Sequence, residues 1–114
     1  MALREPVVPA RERLEHLIEG FGNNRVARLL DVSPSTSSRW RAGLDRMSPS
    51  NERRLVDLDY LVTRLLQVLP KDVAEVWLTS FNAHLGAIPV DVLRTRGALP
   101  VVAAIELEAQ EAYA

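Results

Sequence analysis

Apolar residues recur along most of this chain at steps of three and four, the spacing that puts side chains on one face of an α-helix. The longest such pattern lies in residues 50–69, between Pro49 and Pro70. Its repeating positions are Leu55, Leu58, Val62, Leu65 and Leu69. Ser50 or Asn51 is expected to cap this helix, and Pro70 to end it, because the residue before a proline avoids helical backbone angles. The pattern predicts a long helix around which the rest of the fold is arranged.

Shorter patterns on both sides of it predict six more helices. Before the long helix they comprise residues 10–19, a segment that Asn23 or Asn24 caps, and residues 35–42. After it they comprise residues 71–78 with Val73, Val76 and Trp77 on one face, a helix from Pro89 to Gly97, and a last helix that opens at Leu99 or Pro100. The predicted class is therefore all-α, with an N-terminal helix-turn-helix bundle joined by the long central helix to a small C-terminal helical domain.

This pattern divides the chain into four predicted regions. They are a flexible tail (1–9), a helix-turn-helix region (10–49), the connecting helix (50–69) and a C-terminal domain (70–114). Cysteine is absent from the 114 residues, which excludes disulfides, thiolate metal sites and cysteine nucleophiles and fits a cytoplasmic protein. No N-terminal signal pattern and no apolar run long enough to span a bilayer is present.

The net charge of −1 hides an uneven distribution. Residues 22–54 carry seven arginines against three acids, a local charge of +4. Residues 71–114 carry three bases against six acids, a local charge of −3. The two halves are therefore expected to have different partners, and nucleic acid is the candidate for the basic half.

The segment Val26–Gly43 resembles the Xre-type helix-turn-helix. Ala27 matches the small residue that lets the two helices approach, Val32 the apolar residue of the turn, and Trp40 a large buried residue of the recognition helix. Ser33 is expected to cap this helix, Pro34 to start it and Gly43 to terminate it. The resemblance implies that the residues facing DNA are Ser35, Thr36, Ser38, Arg39 and Arg41.

Two residues depart from that pattern. Asp31 stands where glycine usually adopts the left-handed conformation, and aspartate tolerates this conformation well enough for the turn to survive. Ser37 stands where a buried valine or isoleucine is usual, so looser packing of the helix pair is expected. The alternative interpretation is an ordinary three-helix cap whose arginines only solvate the surface.

A second motif follows Pro70 and resembles the toxin-binding domain of the Xre/MbcA/ParS antitoxin family. Its members are Trp77, Leu78, Asn82, Leu85, Gly86, Pro89, Leu93 and Gly97. Ala87 replaces a glycine that is common in the family. Trp77, Gly86 and Pro89 are interpreted mainly as residues that build the fold, with the Trp77 ring buried, while the partner-binding surface is what they hold in place.

The resemblance implies an antitoxin that binds and blocks an NAD-degrading RES-domain toxin and represses their shared operon. The residues expected to contact the toxin are Leu85, Gly86, Arg94, Arg96, Glu108, Glu111, Tyr113 and Ala114. The acids near the C-terminus would face the basic groups that hold the phosphates of NAD. The alternative for residues 106–114 is a frayed, solvated tail.

Other functions remain open at this point. One is a stand-alone transcription regulator without a toxin. An enzyme is not expected, because His16 and His84 share no ligand spacing and no nucleophile motif is present. No catalytic residue, cofactor or metal site is predicted. The expected partners are the toxin, operator DNA, and either a second copy of this chain or a toxin–antitoxin hetero-oligomer, because short recognition helices bind in pairs about 34 Å apart.

Overall fold

A computed structural model of the protein describes residues 9–112. Within this range the regular structure is helical, apart from one isolated antiparallel bridge between Asn82 and Ala87. The helices are α1 (Ala10–Phe21), α2 (Asn23–Leu30), α3 (Pro34–Arg41), α4 (Pro49–Leu66), α5 (Lys71–Thr79), α6 (Pro89–Arg96) and α7 (Ala98–Ala112). The predicted all-α class is confirmed. Most of the predicted tail, residues 1–8, and the candidate site residues Tyr113 and Ala114 lie outside the described residues.

The chain forms two compact units that divide between Leu55 and Val56, inside α4. The first unit contains α1–α3 and the start of α4, and the second contains the rest of α4 and α5–α7. The four functional regions inferred from the sequence stay a prediction. No helix within residues 9–112 is both long enough and apolar enough to cross a membrane.

Helices α1, α2 and α3 contact one another and enclose the apolar side chains of the first unit. The buried residues of these three helices include Leu14, Leu17, Ile18, Phe21, Val26, Ala27, Leu29, Leu30 and Trp40. Helix α1 passes through Gly20 and ends at Phe21, two residues later than predicted, because Gly22 takes a left-handed φ of 86° and its N–H closes the last turn on Ile18.

Helix α4 differs from the prediction at both ends. Its cap is Ser48, whose Oγ accepts the N–H of Asn51 at 3.2 Å. Neither Ser50 nor Asn51 therefore caps this helix. Pro49 takes the first helical position, where its missing N–H costs nothing. The helix ends at Leu66, since residues 67–69 turn more tightly, by bonds such as Val68 N–H to the Leu65 carbonyl, on the way to Pro70.

In the second unit, α6 packs against both α5 and α7. The buried residues of these helices include Ala74, Leu78, Pro89, Val90, Val92, Leu93, Val101, Ala104, Ile105 and Ala109. Pro89 starts α6 and Gly97 ends it, as predicted. The last helix opens at Ala98, one residue before Leu99, which is 83% exposed.

The face of α5 that meets the core is not the predicted one. Ala74 and Leu78, four residues apart, are buried at 1% exposure each. Val73 and Val76 are 44% and 60% exposed, and Trp77 is only half-buried. A small alanine paired with a leucine therefore supplies the packing surface, and the valines face outward.

Candidate functional site

The turn between α2 and α3, the centre of the predicted helix-turn-helix, is closed by local hydrogen bonds. Asp31 adopts the left-handed conformation, with φ 58° and ψ 46°. Its N–H donates to the carbonyl of Arg28 at 3.1 Å, and the N–H of Val32 donates to that of Ala27 at 2.9 Å. This pair of bonds is the Schellman ending of a helix. The expectation that aspartate can replace glycine here is confirmed.

Helix α3 begins and ends as its sequence predicts. The Oγ of Ser33 accepts the N–H of Thr36 at 3.1 Å, and Pro34 occupies the first helical position. At the other end, Gly43 has a φ of 75° and donates its N–H to the Trp40 carbonyl. The N–H of Leu44 reaches the Arg39 carbonyl at 2.9 Å, completing a second Schellman ending. Both ends of the candidate recognition helix are therefore fixed by local bonds.

Ser37 does not leave the predicted gap between α2 and α3. Its side chain is completely buried, and its hydroxyl donates to Oδ1 of Asn23 at 2.6 Å. The amide of Asn23 in turn donates to the Pro34 carbonyl at 2.9 Å. Asn23 makes no capping bond of its own helix, so its predicted cap role is wrong. The hydrogen bonds between Asn23 and α3 take the place of a branched apolar contact. In the sequence, only the presence of two short polar residues on either side of the turn could have indicated this role of Asn23.

The five candidate DNA-facing residues differ in how far their side chains are exposed for contact with DNA. Ser35, Ser38 and Arg39 are exposed and lie on the side of α3 away from the buried Ser37 and Trp40. Thr36 is half-buried, and its hydroxyl lies 2.7 Å from that of Ser33 in the cap. Arg41 is exposed on the flank facing α1, where its Nη2 lies 3.6 Å from a Glu15 carboxylate oxygen.

Arg39 is held by a carboxylate of its own chain. Its Nε donates to Oδ2 of Asp45 at 2.6 Å, and its Nη2 donates to Oδ1 at 3.2 Å. These hydrogen bonds hold the pKa of Asp45 below its ordinary value and raise the pKa of Arg39. Both side chains stay about half exposed to solvent. Asp45 is a residue of this surface that the sequence did not single out.

In the second unit, Asn82 organises the loop between α5 and α6. Its backbone N–H donates to the Ala87 carbonyl at 2.9 Å, and its carbonyl accepts the N–H of Gly86 at 2.8 Å. Its side-chain Oδ1 also accepts the N–H of Leu85 at 3.1 Å. Gly86 needs its left-handed φ of 65° to close this turn. Ala87 in place of a second glycine leaves the turn intact.

Several predicted toxin-facing residues gather at this loop. Leu85 is half-buried, and its carbonyl accepts a long hydrogen bond, 3.4 Å, from Nη2 of the exposed Arg96. Arg94 is half-buried and donates from Nη1 to Asp91 at 2.9 Å, a contact between two residues of α6.

The end of α7 reaches the same loop through a pair that the sequence did not indicate. Nε2 of His84 lies 3.5 Å from a carboxylate oxygen of Glu111, which is exposed on α7. Glu108 is half-buried one turn earlier. The structure therefore brings Glu111 and the 80–88 loop together, and places Glu108 nearby along the helix.

The frayed tail considered for residues 106–114 is wrong up to residue 112. Helix α7 continues to Ala112, and Ala109 is buried at 7% exposure. Glu106 accepts two bonds from Arg64 on α4, at 2.7 Å from Nε and 2.9 Å from Nη2. Hydrogen bonding to Arg64 is the main reason that the pKa of Glu106 lies below its ordinary value. Deleting residues 107–114 would therefore shorten a packed helix.

The second unit carries exposed apolar side chains, among them Val76, which the sequence placed on the packing face of α5. Val76 is 60% exposed near the end of α5, and Phe81 is 70% exposed in the loop that follows. Large exposed apolar side chains of this kind occur at protein-binding surfaces. Within residues 9–112, no group of three or more potential ligands suits a metal ion.

Comparison with known proteins shows which family this chain belongs to. No protein-family model matches the chain. Over 112 residues it is 34% identical to the mycobacterial cidal antitoxin MbcA of Mycobacterium tuberculosis and of Mycobacterium bovis, which covers 97% of this chain and 95% of each relative. The chain belongs to the MbcA antitoxin family.

The fold agrees with this membership. In the crystal structure of the M. tuberculosis MbcT-MbcA toxin-antitoxin complex, one chain superposes with a TM-score of 0.74 at 32% identity, covering 92% of the present chain and 97% of its own. The resemblance to this antitoxin family is confirmed, and the chain is an antitoxin of the MbcA type and not an enzyme.

Proposed function

We propose that this MbcA-family antitoxin binds a toxin related to MbcT and blocks its activity. The observation that carries the proposal is the extent of the similarity, which covers 92% of this chain in the comparison with a toxin-antitoxin complex. The similarity therefore extends over both compact units of the chain. As the family resemblance implies, the proposed toxin is an NAD-degrading RES-domain enzyme.

The proposed toxin-facing surface lies around the 80–88 loop. Gly86 and Arg96 are exposed there, and Leu85 contributes a half-buried edge. Val76 and Phe81 add apolar area of the kind that anchors an interface. Glu111 supplies negative charge, which complements the basic groups expected where an enzyme binds the phosphates of NAD. Glu108, Arg94, Tyr113 and Ala114 remain part of the proposal.

Growth rescue tests this surface. Cells expressing the toxin encoded beside this gene are complemented with the wild-type chain or with the double variant Val76→Asp, Phe81→Asp. Because both side chains are exposed, the variant should fold normally and lose most of its ability to restore growth and cellular NAD. Leu44→Asp is the matched control, since Leu44 is 66% exposed in the first unit. Full rescue by the double variant would move the interface elsewhere.

We also propose that α3 binds operator DNA and so represses the operon of the antitoxin. Support comes from the fixed helix-turn-helix and from the exposed Ser35, Ser38 and Arg39 on its outer side. Two such helices are needed on a palindrome, so the DNA-bound form is proposed to be a homodimer or a toxin-bridged oligomer.

Band shifts with the chain's own promoter test operator binding. The double variant Arg39→Ala, Arg41→Ala should bind the promoter more weakly than the wild type and show a smaller dependence on salt, because phosphate contacts are lost. Unchanged shifts would remove α3 from the DNA interface. If no toxin gene lies beside this one, the alternative of a stand-alone regulator is favoured.

A further inference from the structure

The ion pair between Arg39 and Asp45 leaves a defined part of the guanidinium open. Arginine has five donor hydrogens in a planar fork. Asp45 takes the edge formed by Nε and Nη2, at 2.6 and 3.2 Å. Asp45 does not use the other edge, formed by Nη1 and the second hydrogen of Nη2. An edge with two parallel donors matches the O6 and N7 acceptors of guanine in the major groove.

We propose that Asp45 is a specificity-determining residue of the operator interface, which positions Arg39 to read a guanine through its free edge. The inference rests on the proposed DNA binding by α3. Asp45 follows the Schellman ending of α3 by one residue, and Arg39 supplies the carbonyl that accepts the last bond of that ending. Both partners are thus attached to one rigid turn, so the carboxylate fixes the side chain relative to the helix.

Simple masking of a positive charge would have a different consequence. A carboxylate beside Arg39 repels phosphate, so its removal should tighten binding to any DNA if its effect is only electrostatic. A positioning carboxylate also limits the rotamers that Arg39 can adopt. Its removal should then weaken the preference for operator over other sequences, because a mobile arginine finds phosphates as easily as a guanine.

Fluorescence anisotropy separates these two effects. The full-length chain is titrated with its operator duplex and with a scrambled duplex of the same composition, at several salt concentrations. Asp45→Asn should reduce the ratio of the two affinities about tenfold, the discrimination expected of one bidentate guanine contact. Binding of the scrambled duplex should stay equal or become tighter. Arg39→Ala should lose the same discrimination, and the double variant should lose no more than either single one.

Glu15→Gln is the charge-matched control. It removes one negative charge beside Arg41, where the atoms lie 3.6 Å apart without a bidentate bond. This control should change the affinity for both duplexes equally and leave their ratio unaltered.

Replacing single operator guanines by 7-deazaguanine identifies the base that is read. At one guanine in each half-site, the loss of N7 should weaken the wild type but not Arg39→Ala. An unaltered affinity ratio in Asp45→Asn would overturn the positioning role while leaving DNA binding by α3 in place. If the wild-type chain shows no preference for the operator, both proposals are overturned.

Discussion

The two compact units differ in what they expose. In the first unit the large apolar side chains of α1–α3 are buried, Trp40 is 5% exposed, and the outer side of α3 carries hydroxyls and arginines. In the second unit Trp77 is half-buried, while Val76 and Phe81 are mostly exposed. A surface of hydroxyls and guanidinium groups suits a polyanion, whereas exposed valine and phenylalanine suit a protein partner. The two proposals thus assign the antitoxin two kinds of binding chemistry in 114 residues.

The two tryptophans give the largest expected contrast. Trp40→Ala should lower the free energy of unfolding by about 3–5 kcal/mol, because the ring is buried in the first unit. Trp77→Ala should cost less, about 1–2 kcal/mol, because its ring is only half-buried. A buried Trp77 ring, as expected from the sequence, would have made the two losses similar. Urea unfolding followed by circular dichroism measures both, and a greater loss for Trp77→Ala would contradict the contrast.

The polar contact between α2 and α3 should have a medium effect. Asn23→Ala should destabilise the first unit by about 1 kcal/mol, because the hydroxyl of Ser37 then keeps only the Pro34 carbonyl, at 3.1 Å. Asn24→Ala is the matched control, since the neighbouring Asn24 is exposed and the gain in helix propensity is the same. Equal thermal unfolding of the two variants would show that the bonds of Asn23 contribute nothing.

The ion pair between Arg64 and Glu106 in the second unit should have the smallest effect on stability. Its contribution should depend on pH. Because Arg64 lowers the pKa of Glu106 in the folded state, the pair contributes stability above the unfolded pKa and loses it as pH falls through the folded one. Glu106→Gln should therefore be less stable than the wild type at pH 7, and the difference should shrink below about pH 4. In an Arg64→Gln background the same substitution should show no pH-dependent difference. A constant difference from pH 7 to pH 3 would contradict this assignment.

Local chemistry explains why much of this architecture was predictable. Ser33, Gly43 and Gly97 act through bonds to residues a few positions away, and Pro34 acts through its own ring. Each can therefore be interpreted within its own segment. The same holds for the left-handed Asp31. The order of the helices and the turn between α2 and α3 followed from such residues.

Contacts between distant segments were not predictable in this way. The bonds of Ser37 to Asn23 and of Glu106 to Arg64 join residues 14 and 42 positions apart. On α5, the nine-residue length allows more than one apolar face, and only packing decides in favour of the face with Ala74. The His84 side of the candidate toxin surface was missed for the same reason.

Each unit contains one of the chain's two tryptophans, Trp40 or Trp77. Indole emission shifts to longer wavelength as the ring meets water, so the two rings should emit at different colours in the folded protein. Trp40→Phe and Trp77→Phe would leave one fluorophore in either unit. Each variant then carries an optical label in one unit, with which the proposed binding of DNA and of a protein partner can be timed separately.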